Sequence, residues 1–208
     1  PIAYAAALKR WENIKPVSEA GGDINFTDAT GKTLLMITIE GGSADTAQFL
    51  IDKGAVVKTA DSSGVTPLHL AAKNKGKKWD DIVAALIQKG CNVNASDNSG
   101  STPAGEAIEA GNISCFKTLA AGGLNINYKE KGSVPLLLFA YRNNQKGIAA
   151  ELMKAGADIT AKDTDGNSLL HVLAEKNDIQ LYKSMASYNF DLNVKNNSGK
   201  TPLLTAIE

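Results

Sequence analysis

Apolar residues recur along this chain as pairs of short blocks separated by polar turns. One pair consists of residues 67–72 (PLHLAA) and residues 81–89 (DIVAALIQK). In both blocks the apolar side chains follow the three- and four-residue spacing that puts them on one face of a helix. The pattern therefore predicts pairs of amphipathic helices, with a turn before each pair.

Glycines mark the same pattern in two series. Spacings of 33, 36, 32, 34 and 33 residues separate the glycines that open the turns, namely Gly31, Gly64, Gly100, Gly132, Gly166 and Gly199. Spacings of 33, 36, 33, 33 and 33 separate the residues that close the second helices, namely Gly21, Gly54, Gly90, Gly123, Gly156 and Asn189. Glycine and asparagine adopt the left-handed backbone conformation that ends helices. Two independent markers thus share one period.

The residues after each opening turn predict how the first helix starts. Asp61 and Gly64 suit a tight turn. The hydroxyl of Thr66 caps free backbone N–H groups, and Pro67 is tolerated in the first turn of a helix. A unit of this size cannot bury its own apolar faces and becomes stable by stacking on its neighbours. The predicted architecture is an all-α solenoid of helix-turn-helix units with short β-hairpin turns.

Residues 66–71 (TPLHLA) resemble the Thr-Pro-Leu-His-x-Ala signature of the ankyrin repeat family. Weaker copies begin at five further places, which are Thr33, Thr102, Val134, Ser168 and Thr201. The resemblance covers essentially the whole chain and implies a single ankyrin-repeat domain. Its expected parts are a partial repeat 1–27, full repeats 28–60, 61–96, 97–128, 129–162 and 163–195, and a partial repeat 196–208.

The chain starts and stops inside a repeat. Residues 1–6 align with residues 67–72, and there is no initiator methionine. Ala206 and Ile207 are apolar where a terminal unit would need a polar outer face. We expect the chain to be a segment of a longer polypeptide.

The charge balance and the two cysteines indicate which partners and which cellular compartment to expect. Lys plus Arg and Asp plus Glu both number 22, so no net field favours nucleic acid or an anionic membrane. No apolar stretch has the length of a membrane span, and no signal peptide is visible. Cys91 and Cys115 fall at small or apolar repeat positions, which favours reduced packing residues over a disulfide. The expected location is intracellular, in the cytoplasm.

The sequence holds no recognisable catalytic, cofactor or metal motif. Phosphate-binding loops, dinucleotide-binding glycine motifs, nucleophile elbows and zinc-protease motifs are all missing. His69 and His171 occupy the same repeat position. In the family that histidine is associated with hydrogen bonds between neighbouring turns, so the resemblance implies a structural role. We predict no catalytic, cofactor or metal-binding residues and no enzymatic activity.

Two features depart from the regular repeat, namely an insertion in the third unit and a proline in the first. Residues 73–81 carry three extra residues, four lysines and Trp79. They form either a solvated loop whose tryptophan packs on the helix ends, or a site for phosphate or an acidic partner. Trp11 lies at nearly the same repeat position as Trp79, which favours packing for both. Pro16 falls inside the second helix of the first unit and predicts that this helix is short or irregular.

Two further departures concern the expected binding face. Glu106 lies in a first helix, at the position of Leu70 and Val172, and either contacts a partner or reaches solvent past small neighbours. Tyr141 and Arg142 are expected at the exposed end of a first helix, matching Lys73 and Asn74. Tyrosine and arginine are enriched in binding hot spots, although exposed side chains there also serve simply to solvate the groove.

These observations favour a protein-interaction module, a scaffold or adaptor that binds a protein partner through the concave surface of the repeats and is monomeric in isolation. The alternative is a regulatory or targeting arm of an enzyme or channel whose functional domain lies elsewhere. The candidate contacts are Thr30, Lys32, Glu40, Ser63, Val65, Lys73, Asn74, Ser99, Ser101, Glu106, Glu109, Lys131, Ser133, Tyr141, Arg142, Asp165, Asn167, Glu175 and Lys176.

Overall fold

The computed structural model describes residues 2–185 and 191–207. The chain divides into two compact units, Pro1–Leu124 and Asn125–Glu208. Each unit is built from helix pairs preceded by short turns, as the sequence predicts. Asn189, the last of the expected helix-ending residues, lies outside the described residues.

Unit 1 is a stack of four helix pairs arranged in two layers. Its helices are α1 (Ile2–Ala7), α2 (Ile14–Glu19), α3 (Leu34–Glu40), α4 (Ala44–Asp52), α5 (Pro67–Lys73), α6 (Lys77–Gln88), α7 (Pro103–Ala110) and α8 (Ile113–Ala121). The first helices α1, α3, α5 and α7 pack on one another in that order. The second helices α2, α4, α6 and α8 do the same. Fully buried side chains such as Leu35, Leu68 and Phe116 fill the space between the layers.

Unit 2 repeats this plan. Its elements are β1 (Lys129–Glu130), β2 (Val134–Pro135), α9 (Leu136–Arg142), α10 (Lys146–Lys154), α11 (Leu169–Glu175), α12 (Ile179–Met185) and α13 (Pro202–Ile207). The antiparallel strands β1 and β2 form a minimal hairpin in which Glu130 pairs with Val134. The first helices α9, α11 and α13 pack in sequence. The predicted all-α fold with short β-hairpin turns is therefore confirmed.

The turn that starts at Asp61 shows why the short turns recur with fixed chemistry. The Asp61 carboxylate accepts hydrogen bonds from the backbone N–H groups of Ser63 and Val65, at 2.9 and 3.0 Å. Gly64 has a φ angle of +79°, a conformation that side chains rarely tolerate. The backbone N–H of Asn98, in the next turn, donates to the Ser63 carbonyl at 2.9 Å. Neighbouring turns are thus joined by direct backbone contact.

His69 and His171 link the start of a first helix to the following turn. The Nδ1 atom of His69 accepts a hydrogen bond from the Thr66 N–H at 3.1 Å, and Nε2 lies 3.1 Å from the Ser101 carbonyl. His171 repeats the arrangement, with Nε2 at 3.0 Å from the Lys200 carbonyl. Because Nδ1 accepts, we assign the proton to Nε2. The structural role that the resemblance implied for both histidines is confirmed.

The environment of His69 predicts a pH-dependent stability. Burial lowers the pKa of His69 below its usual value of 6.5, although the Ser101 carbonyl and Asp97 oppose that shift. The unfolded chain therefore binds the proton more readily, and the free energy of unfolding decreases as pH falls below about 6.5. Urea unfolding of the wild type and His69→Gln across this range checks the prediction. A slope that His69→Gln leaves unchanged would contradict it.

The three extra residues lengthen a second helix instead of forming a long loop. Helix α6 begins at Lys77, four residues before the predicted start at Asp81, and has 12 residues where α4 and α8 have nine. Trp79 is buried in its first turn. Lys77 pairs with Asp81 and Lys78 with Asp45, both at 2.6 Å. This arrangement agrees with the packing interpretation of the segment.

The first helix pair is irregular, as Pro16 predicts. A single 3₁₀ turn, Trp11–Asn13, comes before α2, which has only six residues. Pro16 is the third residue of α2, and its missing N–H is harmless in a first helical turn. Trp11 is only half-buried, unlike Trp79.

Cys91 and Cys115 are both free and buried, in agreement with the prediction of reduced packing residues. The thiol of Cys91 donates to the Val57 carbonyl at 3.0 Å. Burial raises the pKa of Cys91 to about 11 and that of Cys115 to about 12. Both sulfurs therefore stay protonated near neutral pH and are poor nucleophiles.

Candidate partner-binding surface

A common register for all repeats comes from the first residue of each turn. These residues are Asp28, Asp61, Asp97, Glu130, Asp163 and Asn196, and their spacings are 33, 36, 33, 33 and 33. The first and fifth residues of each turn pair with one another through the backbone. This register assigns every candidate contact a position in its turn or first helix.

The register corrects the expected position of Tyr141. In the turn at Glu130 the glycine is the third residue, Gly132, where the other turns have it fourth. Lys131 and Gly132 both adopt positive φ angles, 50° and 72°, so this turn has a different backbone path. Positions counted from Gly132 are therefore one residue too far along the repeat for every residue of α9. Tyr141 matches Ala72, not Lys73, and is only 4% exposed.

The 19 candidates differ widely in exposure. Ten are exposed, namely Thr30, Glu40, Ser63, Lys73, Ser99, Glu109, Lys131, Asp165, Glu175 and Lys176. Seven are half-buried, namely Lys32, Val65, Asn74, Glu106, Ser133, Arg142 and Asn167. Ser101 and Tyr141 are buried, at 5% and 4% exposure, so neither fits its predicted role as a surface contact.

The carboxylates in the turns are already engaged inside the protein. Asp28 accepts hydrogen bonds from the N–H and hydroxyl of Thr30, at 2.8 and 2.7 Å. The Thr30 hydroxyl and the neighbouring N–H groups keep the pKa of Asp28 below its usual range. The hydroxyl of Ser99 makes the same bond to Asp97, at 2.7 Å. What the turns offer to a partner is therefore their exposed tips, not their acidic first residues.

Glu106 is held by an ion pair instead of extending into solvent. Its carboxylate lies 3.1 Å from the ammonium group of Lys73, and its side chain is 12% exposed. Burial raises the pKa of Glu106, while Lys73 opposes the shift. Neither sequence interpretation anticipated that this acid would bridge α5 and α7.

Arg142 is also engaged by the protein. Its guanidinium donates a hydrogen bond to Asp163, whose side chain is 1% exposed. Burial opposes ionisation of Asp163, but bonds from Asn167 and Arg142 prevail and lower its pKa. Removing Arg142 would leave a buried carboxylate without its cation, so this residue supports α9 and the next turn.

A groove of about 440 Å³ opens between the first two helix pairs of unit 1. We call it the Trp11 groove. It lies within the size range of small-ligand pockets. Its lining residues are Ala3, Ala6, Ala7, Lys9, Trp11, Phe26, Asp28, Thr30, Lys32, Ile37, Glu40 and Gly41. Three of them, Thr30, Lys32 and Glu40, are predicted contacts.

The sequence did not predict the apolar part of the Trp11 groove. Trp11, Phe26 and Ile37 are all half-buried. Ile37 shares its register position with Leu70 and Val172, which are 8% and 0% exposed. The small side chains of α1 beside Ile37 leave it uncovered. A signal was present in the sequence, because Ala3 and Ala6 of α1 occupy the repeat positions that Met36 and Ile39 hold in α3.

The position of Trp11 depends on a glycine. A β-carbon placed on Gly41 would lie 2.2 Å from Cζ2 and 2.8 Å from Cη2 of Trp11. The indole therefore rests directly on the backbone at the end of α3. Lys32 closes the neighbouring rim, with its ammonium group 2.9 and 2.8 Å from the two carboxylate oxygens of Glu40.

In the part of the chain that the structure describes, none of the helices has the length and apolar character needed to span a bilayer. Residues 2–185 and 191–207 also bring together no group of three or more His, Cys, Asp or Glu side chains suited to a metal ion.

Residues 2–97 and 136–208 match the family model described as ankyrin repeats in three copies. These two stretches make up most of the chain. The chain belongs to the ankyrin repeat family. Ankyrin repeats serve generally as protein–protein interaction modules.

Curated relatives contain similar segments within much longer proteins. Neurogenic locus notch homolog protein 1 of Xenopus tropicalis is 30% identical over 182 residues, covering 88% of this chain and 6% of that protein. The nuclear factor NF-kappa-B p105 subunit of Gallus gallus is 25% identical over 195 residues, covering 91% and 19%. Inversin of Canis lupus familiaris is 26% identical over 213 residues, covering 100% and 17%. This ankyrin chain thus spans a fifth or less of each relative.

Solved structures share the ankyrin fold. The ankyrin repeat domain of Bcl-3 superposes with a TM-score of 0.79 at 20% identity, covering 99% of this chain and 93% of that one. The human ASB11 ankyrin repeat domain gives a TM-score of 0.80 at 24% identity, covering 99% and 91%. At these identities the likeness concerns the fold alone.

Proposed function

We propose that this ankyrin chain is a scaffold or adaptor segment that binds another protein through the turns and first helices, the concave face of its repeats. The single observation that carries the proposal is the Trp11 groove, because it leaves parts of three large apolar side chains uncovered beside exposed turn tips. Aromatic side chains of this kind are enriched at the centres of protein interfaces.

Charge and the use of titratable groups support a protein partner over other classes. The formal net charge is zero, so the chain lacks the basic excess typical of nucleic-acid or anionic-membrane binding. His69, Glu106 and Asp163 all have structural partners within the fold. We therefore propose a non-catalytic, monomeric module in the cytoplasm.

Enlarging two exposed turn tips tests the binding face. Ser63→Arg together with Ser99→Arg places bulky cations on adjacent turns without entering a helix. We expect this variant to lose proteins that the wild-type chain captures from a cell lysate, because the tips no longer fit the partner. Capture is measured by affinity pull-down with quantitative mass spectrometry.

The matched control carries the same kind of substitution on the second-helix layer, Gln88→Arg together with Ala120→Arg. Both positions are exposed. The control should retain the captured proteins, and circular dichroism should show unchanged helical content in both variants. Equal capture by all three proteins would place the binding surface elsewhere.

A second candidate function is suggested by the short span of the chain relative to its relatives. Because those proteins are at least five times longer than the matched segment, this ankyrin chain also fits a regulatory or targeting arm of an enzyme or channel. Deleting residues 1–208 from the longer polypeptide and measuring its activity and location tests this alternative. An unaltered activity and location would argue against it.

A further inference from the structure

We draw no further inference here: the strongest candidate, the apolar pocket of about 200 Å³ that Leu173, Ile179 and Leu203 line between α11, α12 and α13 of unit 2, carries none because nothing in the structure shows what covers it.

Discussion

Gly64→Ala is expected to lower the free energy of unfolding by about 3 kcal/mol, whereas Gly31→Ala lowers it by about 1 kcal/mol. Both glycines have nearly the same positive φ angle, +79° and +80°, so the conformational strain of a side chain is common to both. The difference comes from the neighbouring turn. A β-carbon on Gly64 would lie 3.0 Å from backbone atoms of Asp97 and Asn98, whereas one on Gly31 meets its nearest atom at 3.4 Å.

Urea unfolding monitored by circular dichroism measures both changes. If the turns are packed as closely as described, the backbone of the next turn must move to accept the methyl group added at Gly64. Gly31→Ala adds the same backbone strain without that close contact, so it is the matched control. Equal losses of stability in the two variants would show that the turns are farther apart, and would remove the packing explanation for Gly64.

His69→Ala is expected to lower the free energy of unfolding by about 3 kcal/mol, because it removes two buried hydrogen bonds and creates a cavity. The Thr66 N–H loses its acceptor, and the Ser101 carbonyl loses the His69 donor but keeps its hydrogen bond from the Asp97 N–H. The histidine is fully buried, so water does not readily replace these bonds. Chemical denaturation at neutral pH, where His69 is neutral, measures the effect.

Thr66→Ala separates the cap from the link between turns. It removes the hydroxyl but keeps the His69 bond to Ser101, so we expect a smaller loss of about 1 kcal/mol. If Thr66→Ala proves as costly as His69→Ala, the contact between turns contributes little and the helix cap accounts for most of the stability.

Much of the candidate surface could be predicted from repeat position alone. Thr30, Glu40 and Ser63 are exposed as expected, because a residue's position in the repeat fixes whether it points toward the layers or away from them. The prediction failed at Tyr141, where one displaced glycine altered the count. A hydrogen-bonded register was needed there, since glycine adopts left-handed conformations at more than one turn position.

The Trp11 groove shows a different limit. Ile37 and Leu70 have the same register position and similar apolar character, yet only Leu70 is buried. Their exposure depends on which side chains the preceding first helix presents. A period read along the chain does not contain that information, because the relevant neighbours come from another repeat.

The sequence by itself determined the repeat, the glycines that follow the second helices, the capping of the first helices and the structural use of His69 and His171. These features are local or strictly periodic, so residue type and spacing suffice to predict them. Only the tertiary structure decided that Tyr141 is buried, that Glu106 pairs with Lys73, and that Trp11 rests on Gly41 to form a groove. Those outcomes depend on contacts between residues far apart in sequence, where the size and charge of each neighbour decide what stays exposed.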